Sequence, residues 1–420
     1  MNVLFDVSSL GIAHFSSYLR TGIFRVVENL ALGLYTDEDC HTTFCASHCN
    51  YRDCRNYFDL DPVFKGYMLS QPHDLISSIY NYIEPLRLSA SKLNSKGWKA
   101  PLKKIYHLGK KFAEPIDIKD IKSSNIFHSP FLAIPQQIIQ EKNIKKFITI
   151  HDLTPFIYPE YCSPLTVEFL KTVYNSIKPD TFVTCVSEAT RQDFLAHMPL
   201  FDPAMVSVVY LAADSHFQCC TDTKLIQQIR LKYGIPFESP YFLALSTLQP
   251  HKNFERTINS FINLVKEEHI KDLHLVIAGP AGLSGERIHK EIEKSGELAG
   301  RIILTGYIPD EDLAPLYSGA LAFLFPSLYE GFGLPPLEAM QCGTPVITSN
   351  NSSLPEVVGD AAIMIDPKDG DALCQAMLDI YKNEALRKKL SELSLERAKR
   401  FDWKKTTAAC IAAYKRALGC

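Results

Sequence analysis

Short runs of β-branched and aromatic residues recur along the 420-residue chain, and a helical stretch follows most of them. The runs are apolar throughout, which is typical of parallel strands covered by helices on both faces. The alternation of strand and helix predicts doubly wound α/β units, one in each half of the chain. The predicted strands are Asn2–Asp6, Thr42–Cys45, Asn125–His128, Phe147–His151, Phe182–Val186, Val206–Tyr210, Tyr241–Ser246, Leu273–Ala278, Ile302–Thr305, Leu321–Phe325, Pro345–Thr348 and Ala361–Ile365.

A boundary between two domains is predicted near Asp222–Pro240. There a polar helix gives way to Gly234 and two prolines before a fresh apolar strand. Such a cluster of turn residues is typical of a linker. We expect one domain at 1–225, a second at 226–402, and a last helix at 403–420 that returns to the first domain.

The composition excludes several classes of protein. There are 44 Lys and Arg residues against 47 Asp and Glu residues, so the net charge is −3 and a nucleic-acid partner is not expected. No apolar stretch is long enough to span a bilayer. The first residues lack the basic and apolar regions of a signal peptide, so a cytoplasmic location is expected.

Twelve cysteines are present, and one group of them is clustered. The cluster is Cys40, Cys45, Cys49 and Cys54. Its spacings fit no paired C-x2-C zinc knuckle, so buried thiols are favoured over a metal site. Scattered thiols in a chain of this length indicate a reducing compartment.

One segment, Leu86–Ala113, contains no acidic residue. A helix is predicted to begin at Pro101 within it, with apolar and basic side chains on different faces. The apolar side chains are Leu102, Ile105, Tyr106 and Phe112, and the basic ones are Lys103, Lys104, Lys110 and Lys111. Two interpretations stay open: that Trp98–Phe112 lies on an anionic membrane surface, or that it is a packed helix with a solvated basic edge.

The most informative stretch runs from Phe325 to Met340 and reads Phe-Pro-Ser-Leu-Tyr-Glu-Gly-Phe-Gly-Leu-Pro-Pro-Leu-Glu-Ala-Met. It predicts a strand, a glycine loop and a helix N-terminus, which together form an anion site suited to a diphosphate. Glu330 precedes the loop, and Glu338 is predicted in the first turn of the helix. Carboxylates accept hydrogen bonds from sugar hydroxyls. Two of them beside a phosphate cradle indicate a nucleotide sugar.

This stretch resembles the signature of retaining glycosyltransferase family 4, in which two glutamates with seven residues between them enclose Gly-Phe-Gly-Leu-Pro. The resemblance continues through Gly343–Ile347 and Leu354–Ala362. It implies the GT-B fold, in which two Rossmann-like doubly wound domains face a cleft. The overall resemblance is to bacterial surface-polysaccharide mannosyltransferases.

The resemblance implies roles for the residues of this loop. Glu330 would bind hydroxyls of the transferred sugar, and Glu338 would bind the ribose of the nucleotide. The backbone of three residues between them would hold the sugar and the diphosphate, namely Phe332, Gly333 and Leu334.

A second matching piece, Leu245–Asn253, follows the first strand of the second half, which is a usual place for a phosphate contact. Lys252 matches the family lysine that neutralises the diphosphate, and Thr247 is expected to contact the donor. His251 stands where the family often has arginine, so no role is carried to it.

Three further pieces resemble the family more weakly. The backbone of Tyr307 and Ile308 is expected to meet the nucleotide base. Gly22 matches the first glycine of a loop over the diphosphate, although Phe24 replaces the second glycine. His151, at the end of a predicted strand, matches a family histidine near the sugar and the diphosphate.

The implied activity is retaining transfer of a hexose, with Glu330, His151 and Lys252 as the catalytic residues. Lys252 and helix N-termini would neutralise the leaving diphosphate, so no metal and no cofactor is expected. GDP-mannose is the favoured donor, and the expected acceptor is a glycan or a lipid-linked glycan in surface-polysaccharide synthesis. The alternatives are a UDP-sugar donor in the same fold, or a non-catalytic sugar-nucleotide-binding protein.

Two other classes of enzyme fit less well. A metal-dependent transferase would use an Asp-x-Asp pair, but the four such tripeptides stand in unrelated contexts, which indicates chance. They are Asp37/Asp39, Asp59/Asp61, Asp310/Asp312 and Asp369/Asp371. A dehydrogenase would need G-x-G-x-x-G after a strand, and Gly279–Gly282 does not supply it.

Overall fold

The computed structural model describes residues 1–14, 22–48, 50–71 and 115–420. They form two parallel sheets, each with six strands. The first sheet has the order β2-β1-β3-β4-β5-β6, from β1 Asn2–Asp6, β2 His41–Cys45, β3 Ile126–Ser129, β4 Lys145–Ile150, β5 Thr181–Cys185 and β6 Val206–Val208. The second has the order β12-β11-β10-β7-β8-β9, from β7 Tyr241–Leu245, β8 His274–Ala278, β9 Ile302–Gly306, β10 Ala322–Phe325, β11 Val346–Ser349 and β12 Ala362–Ile365.

Helices cover both sheets. Those that follow strands of the first sheet are α1 Ser8–His14, α2 Gly22–Thr36, α3 Tyr51–Leu60, α4 Ile118–Ser123, α5 Gln136–Ile139, α6 Thr154–Ile157, α7 Pro164–Ser176 and α8 Glu188–His197. The later ones are α9 Thr223–Lys232, α10 Phe254–Glu267, α11 Gly285–Lys294, α12 Asp310–Ser318, α13 Leu334–Gln341, α14 Leu354–Val358, α15 Gly370–Lys382, α16 Glu384–Ala398 and α17 Trp403–Leu418. Short 3-10 turns lie at Pro159–Tyr161, Pro203–Met205, Pro250–Lys252, Gly296–Arg301 and Gly359–Ala361.

Every predicted strand is present, and the predicted doubly wound class is confirmed. The inner strands of both sheets are largely buried on both faces, as uninterrupted apolar sequences require, whereas the edge strands β6, β9 and β12 are only partly buried. Side-chain oxygens of Ser163, Ser187 and Asp402 accept backbone N–H groups at the starts of α7, α8 and α17. These caps satisfy donors that a helix start leaves unpaired.

The last helix, α17, packs against the first sheet. The Tyr414 hydroxyl lies 2.5 Å from Nδ1 of His128 in β3, and both side chains are buried. Lys415 forms an ion pair with Asp39 at 2.6 Å. The chain therefore passes from the first half to the second and back again. The domain limits at 225 and 402 stay predictions.

Two predicted features fall wholly or partly outside the described residues. The basic segment Trp98–Phe112 and Cys49 lie outside them. Of the same cysteine cluster, Cys40, Cys45 and Cys54 are buried, and burial raises the pKa of the Cys45 and Cys54 thiols. Among the helices that the structure describes, none combines the length and the apolarity needed to cross a bilayer.

Candidate active site

The carboxyl ends of the parallel strands carry the predicted site residues. After β10 the chain passes through the Glu330–Gly333 loop into α13, where Gly333 has a φ of +114° that favours glycine. Gly331 lies against the residue that follows β4 in the first half, since a Cβ on it would stand 1.7 Å from the carbonyl oxygen of His151. The helix begins at Leu334, so Glu338 lies in its second turn and the prediction of a first-turn position was wrong.

Glu330 and Lys252 form an ion pair. Nζ of Lys252 donates to Oε1 of Glu330 at 2.6 Å, and the Ser327 hydroxyl donates to the same oxygen at 2.6 Å. The two charged side chains are 12% and 15% exposed, so they lie at the wall of the cleft with a small accessible face. The structure thus brings together two of the three predicted catalytic residues.

A tight turn after β7 positions Lys252. Asn253 adopts a left-handed conformation at φ +63°, and its amide donates to the carbonyl oxygens of Pro326 and Pro367 at 2.9 and 2.8 Å. Nζ of Lys252 also lies 5.2 Å from the centroid of the Phe325 ring, a cation–π distance. Thr247 is half-buried at the start of this turn.

Glu338 is buried at 5% exposure and is bonded through both oxygens. Nη1 of Arg25 donates to Oε1 at 2.8 Å, and the Tyr317 hydroxyl donates to Oε2 at 3.0 Å. Burial raises the pKa of Glu338, although Arg25 and Tyr317 act in the opposite direction. Glu338, the residue predicted to bind the ribose, is therefore held by a cation from the other half of the molecule.

The sequence interpretation missed Arg25. Its guanidinium, on α2, bridges Glu338 and Asp310 and stacks at 5.5 Å from the Phe217 ring. The available signal was its place three residues after Gly22, in the only piece of the first half that matched a glycine loop. Nothing local in the sequence pairs it with Glu338, because the two residues are 313 positions apart.

The first half contributes His151 and Gly22. Nε2 of His151 lies 2.7 Å from the Pro130 carbonyl oxygen, so that nitrogen carries a proton and donates it. Burial lowers the pKa of His151, which keeps the imidazole neutral and leaves Nδ1 as an acceptor. A Cβ on Gly22 would lie 3.1 Å from Cδ1 of Leu334, so two predicted donor contacts meet across the cleft.

The remaining predicted contacts lie around this centre. Phe332 is buried, and the centroid of its ring lies 5.9 Å from that of the Phe401 ring. Its side chain therefore packs in the core, and its backbone forms part of the loop. Tyr307 is 36% exposed after β9, while Ile308 is buried in the core.

The Asp310/Asp312 pair has both carboxylates engaged. Asp310 pairs with Arg25, and Asp312 accepts hydrogen bonds from Nζ of Lys232 and the hydroxyl of Tyr233, each at 2.5 Å. Within the part of the chain that the structure describes, no three His, Cys, Asp or Glu side chains are arranged to hold a metal ion.

A cavity of about 470 Å³ opens beside His151, between the two halves. Its lining combines aromatic rings with hydroxyl, amide and imidazole groups, a mixture that suits a polar ligand with an apolar face. The lining includes Phe131, Tyr161, Thr166, Phe169, Gln249 and His251. Burial and the neighbouring Lys252 lower the pKa of His251 to about 3, so this residue adds no positive charge.

Comparison with known proteins decides the family. Residues 226–397 match the family described as glycosyl transferases group 1. The O-antigen chain mannosyltransferase B of Escherichia coli is 33% identical over 293 residues, which cover 69% of this chain and 74% of that protein. The chain belongs to the group 1 glycosyltransferases. The serotype-specific mannosyltransferase WbdA of Escherichia coli is 30% identical over 279 residues, which cover 65% of this chain and 34% of that longer protein.

Solved structures agree on the architecture. Sucrose-phosphate synthase from Thermosynechococcus elongatus superposes with a TM-score of 0.67 at 17% identity, over 100% of this chain and 99% of that one. At this identity the likeness concerns the fold alone. The two sheets and the cleft between them form the GT-B fold, and that prediction is confirmed.

Proposed function

We propose that this glycosyltransferase transfers mannose from GDP-mannose, with retention of configuration, to a glycan or lipid-linked glycan in surface-polysaccharide synthesis. The observation that carries the proposal is the Lys252–Glu330 ion pair at the mouth of a glycine loop, eight residues before a second carboxylate, Glu338. The mannosyltransferase names of the two Escherichia coli relatives support the choice of sugar. We further assign the chain to family 4 of the retaining enzymes.

In this proposal each site residue acts on one part of the donor. Glu330 accepts hydrogen bonds from the hydroxyls of the transferred sugar, and Glu338 accepts them from the ribose. Lys252 moves from Glu330 onto the diphosphate as the donor enters, since a phosphate carries more charge than a carboxylate. His151, through Nδ1, is the contact from the first half.

The backbone supplies the rest of the proposed donor site. N–H groups at the start of α13, around Phe332, Gly333 and Leu334, face the diphosphate, and the helix dipole stabilises its charge. Gly22 and Thr247 flank it, and Tyr307 and Ile308 offer backbone groups to the base. Because Lys252 and the helix supply the positive charge, transfer needs no metal in this proposal.

A donor screen tests the proposal. The enzyme is heated with GDP, UDP, ADP and the mannose and glucose conjugates of each, and unfolding is followed by fluorescence. A true donor at about one hundred times its dissociation constant stabilises the fold by about 2.7 kcal/mol. We expect the largest shift with GDP-mannose. A larger shift with a UDP-sugar would overturn the choice of base.

Catalysis is tested separately from binding. Hydrolysis of the preferred donor is measured without acceptor, and transfer is measured to mannosides and to lipid-linked glycans. Proton NMR of the product reports the anomeric configuration, and we expect retention. Binding without either reaction would instead favour a non-catalytic sugar-nucleotide-binding protein.

We also propose that the enzyme works in the cytoplasm, at the inner face of the membrane. The support is the basic amphipathic pattern of Trp98–Phe112, which lies outside the described residues. Each lysine near an anionic surface contributes about 1 kcal/mol, and salt weakens this attraction. We expect salt-sensitive sedimentation with anionic liposomes that is lost when Lys103, Lys104, Lys110 and Lys111 are changed to Gln. Equal sedimentation of the two proteins would favour the packed-helix interpretation.

A further inference from the structure

The short helix α14 and the two serines before it, residues 352–358 and together called the α14 turn, reach across the cleft. Glu356, in the first turn of this helix, accepts hydrogen bonds from three donors that all belong to the first half of the chain. They are the backbone N–H of Glu188 at 2.8 Å, the backbone N–H of Ala189 at 2.7 Å and the hydroxyl of Tyr210 at 2.9 Å. We call this set of bonds the Glu356 clasp.

Two of these donors are the first residues of α8. A helix start has unpaired N–H groups and a positive dipole end, so a carboxylate there is stabilised by charge as well as by hydrogen bonds. Burial and the Glu356 carboxylate raise the pKa of Tyr210 to about 12, so its hydroxyl keeps the proton that it donates. The clasp is thus a charge-assisted set of bonds.

The same helix start also holds the glycine loop. The hydroxyls of Ser187 and Thr190 donate to the carbonyl oxygen of Gly331 at 2.6 and 3.0 Å. One turn further along, Asp193 accepts from the Tyr329 hydroxyl at 2.6 Å. The first turns of α8 therefore contact the residues on both sides of Glu330.

The α14 turn also contacts the glycine loop. The Ser353 hydroxyl donates to the carbonyl oxygens of Glu330 and Phe332 at 3.0 and 2.7 Å, and the Ser352 hydroxyl accepts from the N–H of Glu330 at 3.1 Å. Arg397 fixes this turn from behind through the carbonyl oxygens of Glu356 and Val357. The α14 turn consequently contacts the Glu330–Gly333 loop on one side and α8 on the other.

We propose that Glu356 is a positioning residue for transfer. By docking on the start of α8 it holds the α14 turn, and with it the Glu330–Gly333 loop, against the first half, so that Glu330 and His151 face one reaction centre. This inference rests on the proposed transfer reaction. Glu356 itself touches neither sugar nor diphosphate.

The Glu356 clasp differs from a purely structural contact because it keeps water out of the reaction centre. If the halves part, water reaches the anomeric carbon, and donor hydrolysis competes with transfer. A displacement of the reacting groups by about 1 Å can cost about a hundredfold in rate. Binding of the nucleotide to the second half alone would be kept. A clasp defect is therefore expected in kcat and in the ratio of hydrolysis to transfer more than in the donor KM.

Three variants test this. Glu356→Ala removes all three bonds. Glu356→Gln keeps the shape and one acceptor oxygen, and guards against misfolding in the alanine variant. Glu384→Ala is the matched control, because Glu384 is an exposed carboxylate in the first turn of α16. We expect kcat for transfer to fall about tenfold or more in Glu356→Ala, less in Glu356→Gln and not in the control, with hydrolysis taking a larger share in the same order.

Scattering gives a readout that needs no turnover. Small-angle X-ray scattering is recorded for the wild type, Glu356→Ala and Glu384→Ala, in the presence of GDP and, separately, of UDP. We expect a larger radius of gyration only in Glu356→Ala. Wild-type kcat, partition and radius in Glu356→Ala would overturn the inference. So would a loss of activity that follows thermal stability while partition and radius stay unchanged. A wild type that transfers no sugar would contradict the proposed function, and the scattering result would still decide on the clasp.

Discussion

The two glutamates that flank the glycine loop, Glu330 and Glu338, lie in opposite settings. Glu330 stands at the wall of the cleft and pairs with Lys252 from its own half. Glu338 is almost fully buried and pairs with Arg25 from the other half. The first pair is assembled by the second sheet alone, whereas the second pair exists only when both halves are docked. The difference teaches that one end of the loop is assembled within a single half and keeps a small accessible face, whereas the other end depends on the docking of both halves.

The largest expected effect comes from breaking the Glu330 end. Glu330→Ala and Lys252→Ala should each lower turnover about a hundredfold or more, because each removes a charge contact that the proposed mechanism makes to the reacting sugar or its leaving group. Steady-state transfer rates are the measurement. Glu293→Ala and Lys290→Ala, exposed on α11, are the matched controls. Wild-type turnover in both site variants would disprove the assignment of this pair.

Breaking the Glu338 end should act first on stability. Arg25→Met leaves a buried carboxylate without its cation, which costs about 3 kcal/mol at pH 7, the low end for a buried pair, since the guanidinium is 15% exposed. A protonated Glu338 needs no cation. The pKa of Glu338 is already raised by burial, so the deficit should shrink as the pH falls towards its ordinary value of 4.5.

Denaturant unfolding at pH 7 and pH 5 measures this deficit. The double variant Arg25→Met with Glu338→Gln should recover most of the lost free energy of unfolding, because it removes the unpaired charge. A deficit that does not change with pH would mean that Arg25 stabilises the fold by packing on Phe217 rather than by its charge.

A smaller effect sharpens the role of the first half at the Glu330 end. His151→Ala should lower turnover about tenfold, the value of one hydrogen bond, with His289→Ala on α11 as the exposed control. Burial lowers the pKa of His151, so the wild-type rate should not fall as the pH drops through 6.5. A pH–rate profile with an acidic limb near 6.5 that is absent from the alanine variant would contradict a neutral imidazole.

The smallest expected effect is that of chelation. EDTA should leave the transfer rate unchanged, since Lys252 and the start of α13 already face the diphosphate in the proposed complex. Rates are measured before and after dialysis against the chelator. Activity that is lost and then restored by Mn²⁺ or Mg²⁺ would show that the Glu330 end lacks a charge that the metal supplies.

The comparison also explains what could be predicted from the sequence. The strands were predictable because parallel strands buried on both faces must be apolar throughout, and the loop was predictable because Glu330, Gly331 and Gly333 lie together in the chain. The ion pair of Glu338 with Arg25 was not, because it depends on how the two halves dock, and the two residues are 313 positions apart. The same holds for Glu356, whose three donors lie in the other half. Glu338 was placed one turn too early along its helix, because the helix already begins at Leu334, directly after the left-handed Gly333.

The return of α17 to the first sheet has a consequence for synthesis on the ribosome. His128 in β3 meets Tyr414 only after 286 further residues have been translated. Until then the face of the first sheet that Cys410, Ile411 and Tyr414 cover is open to solvent or to a chaperone. A released chain truncated after Asp402 should therefore bind a hydrophobic dye and be cleaved quickly by protease, and a chain that extends through residue 418 should show neither property. The first half is thus completed only after the second half has been translated.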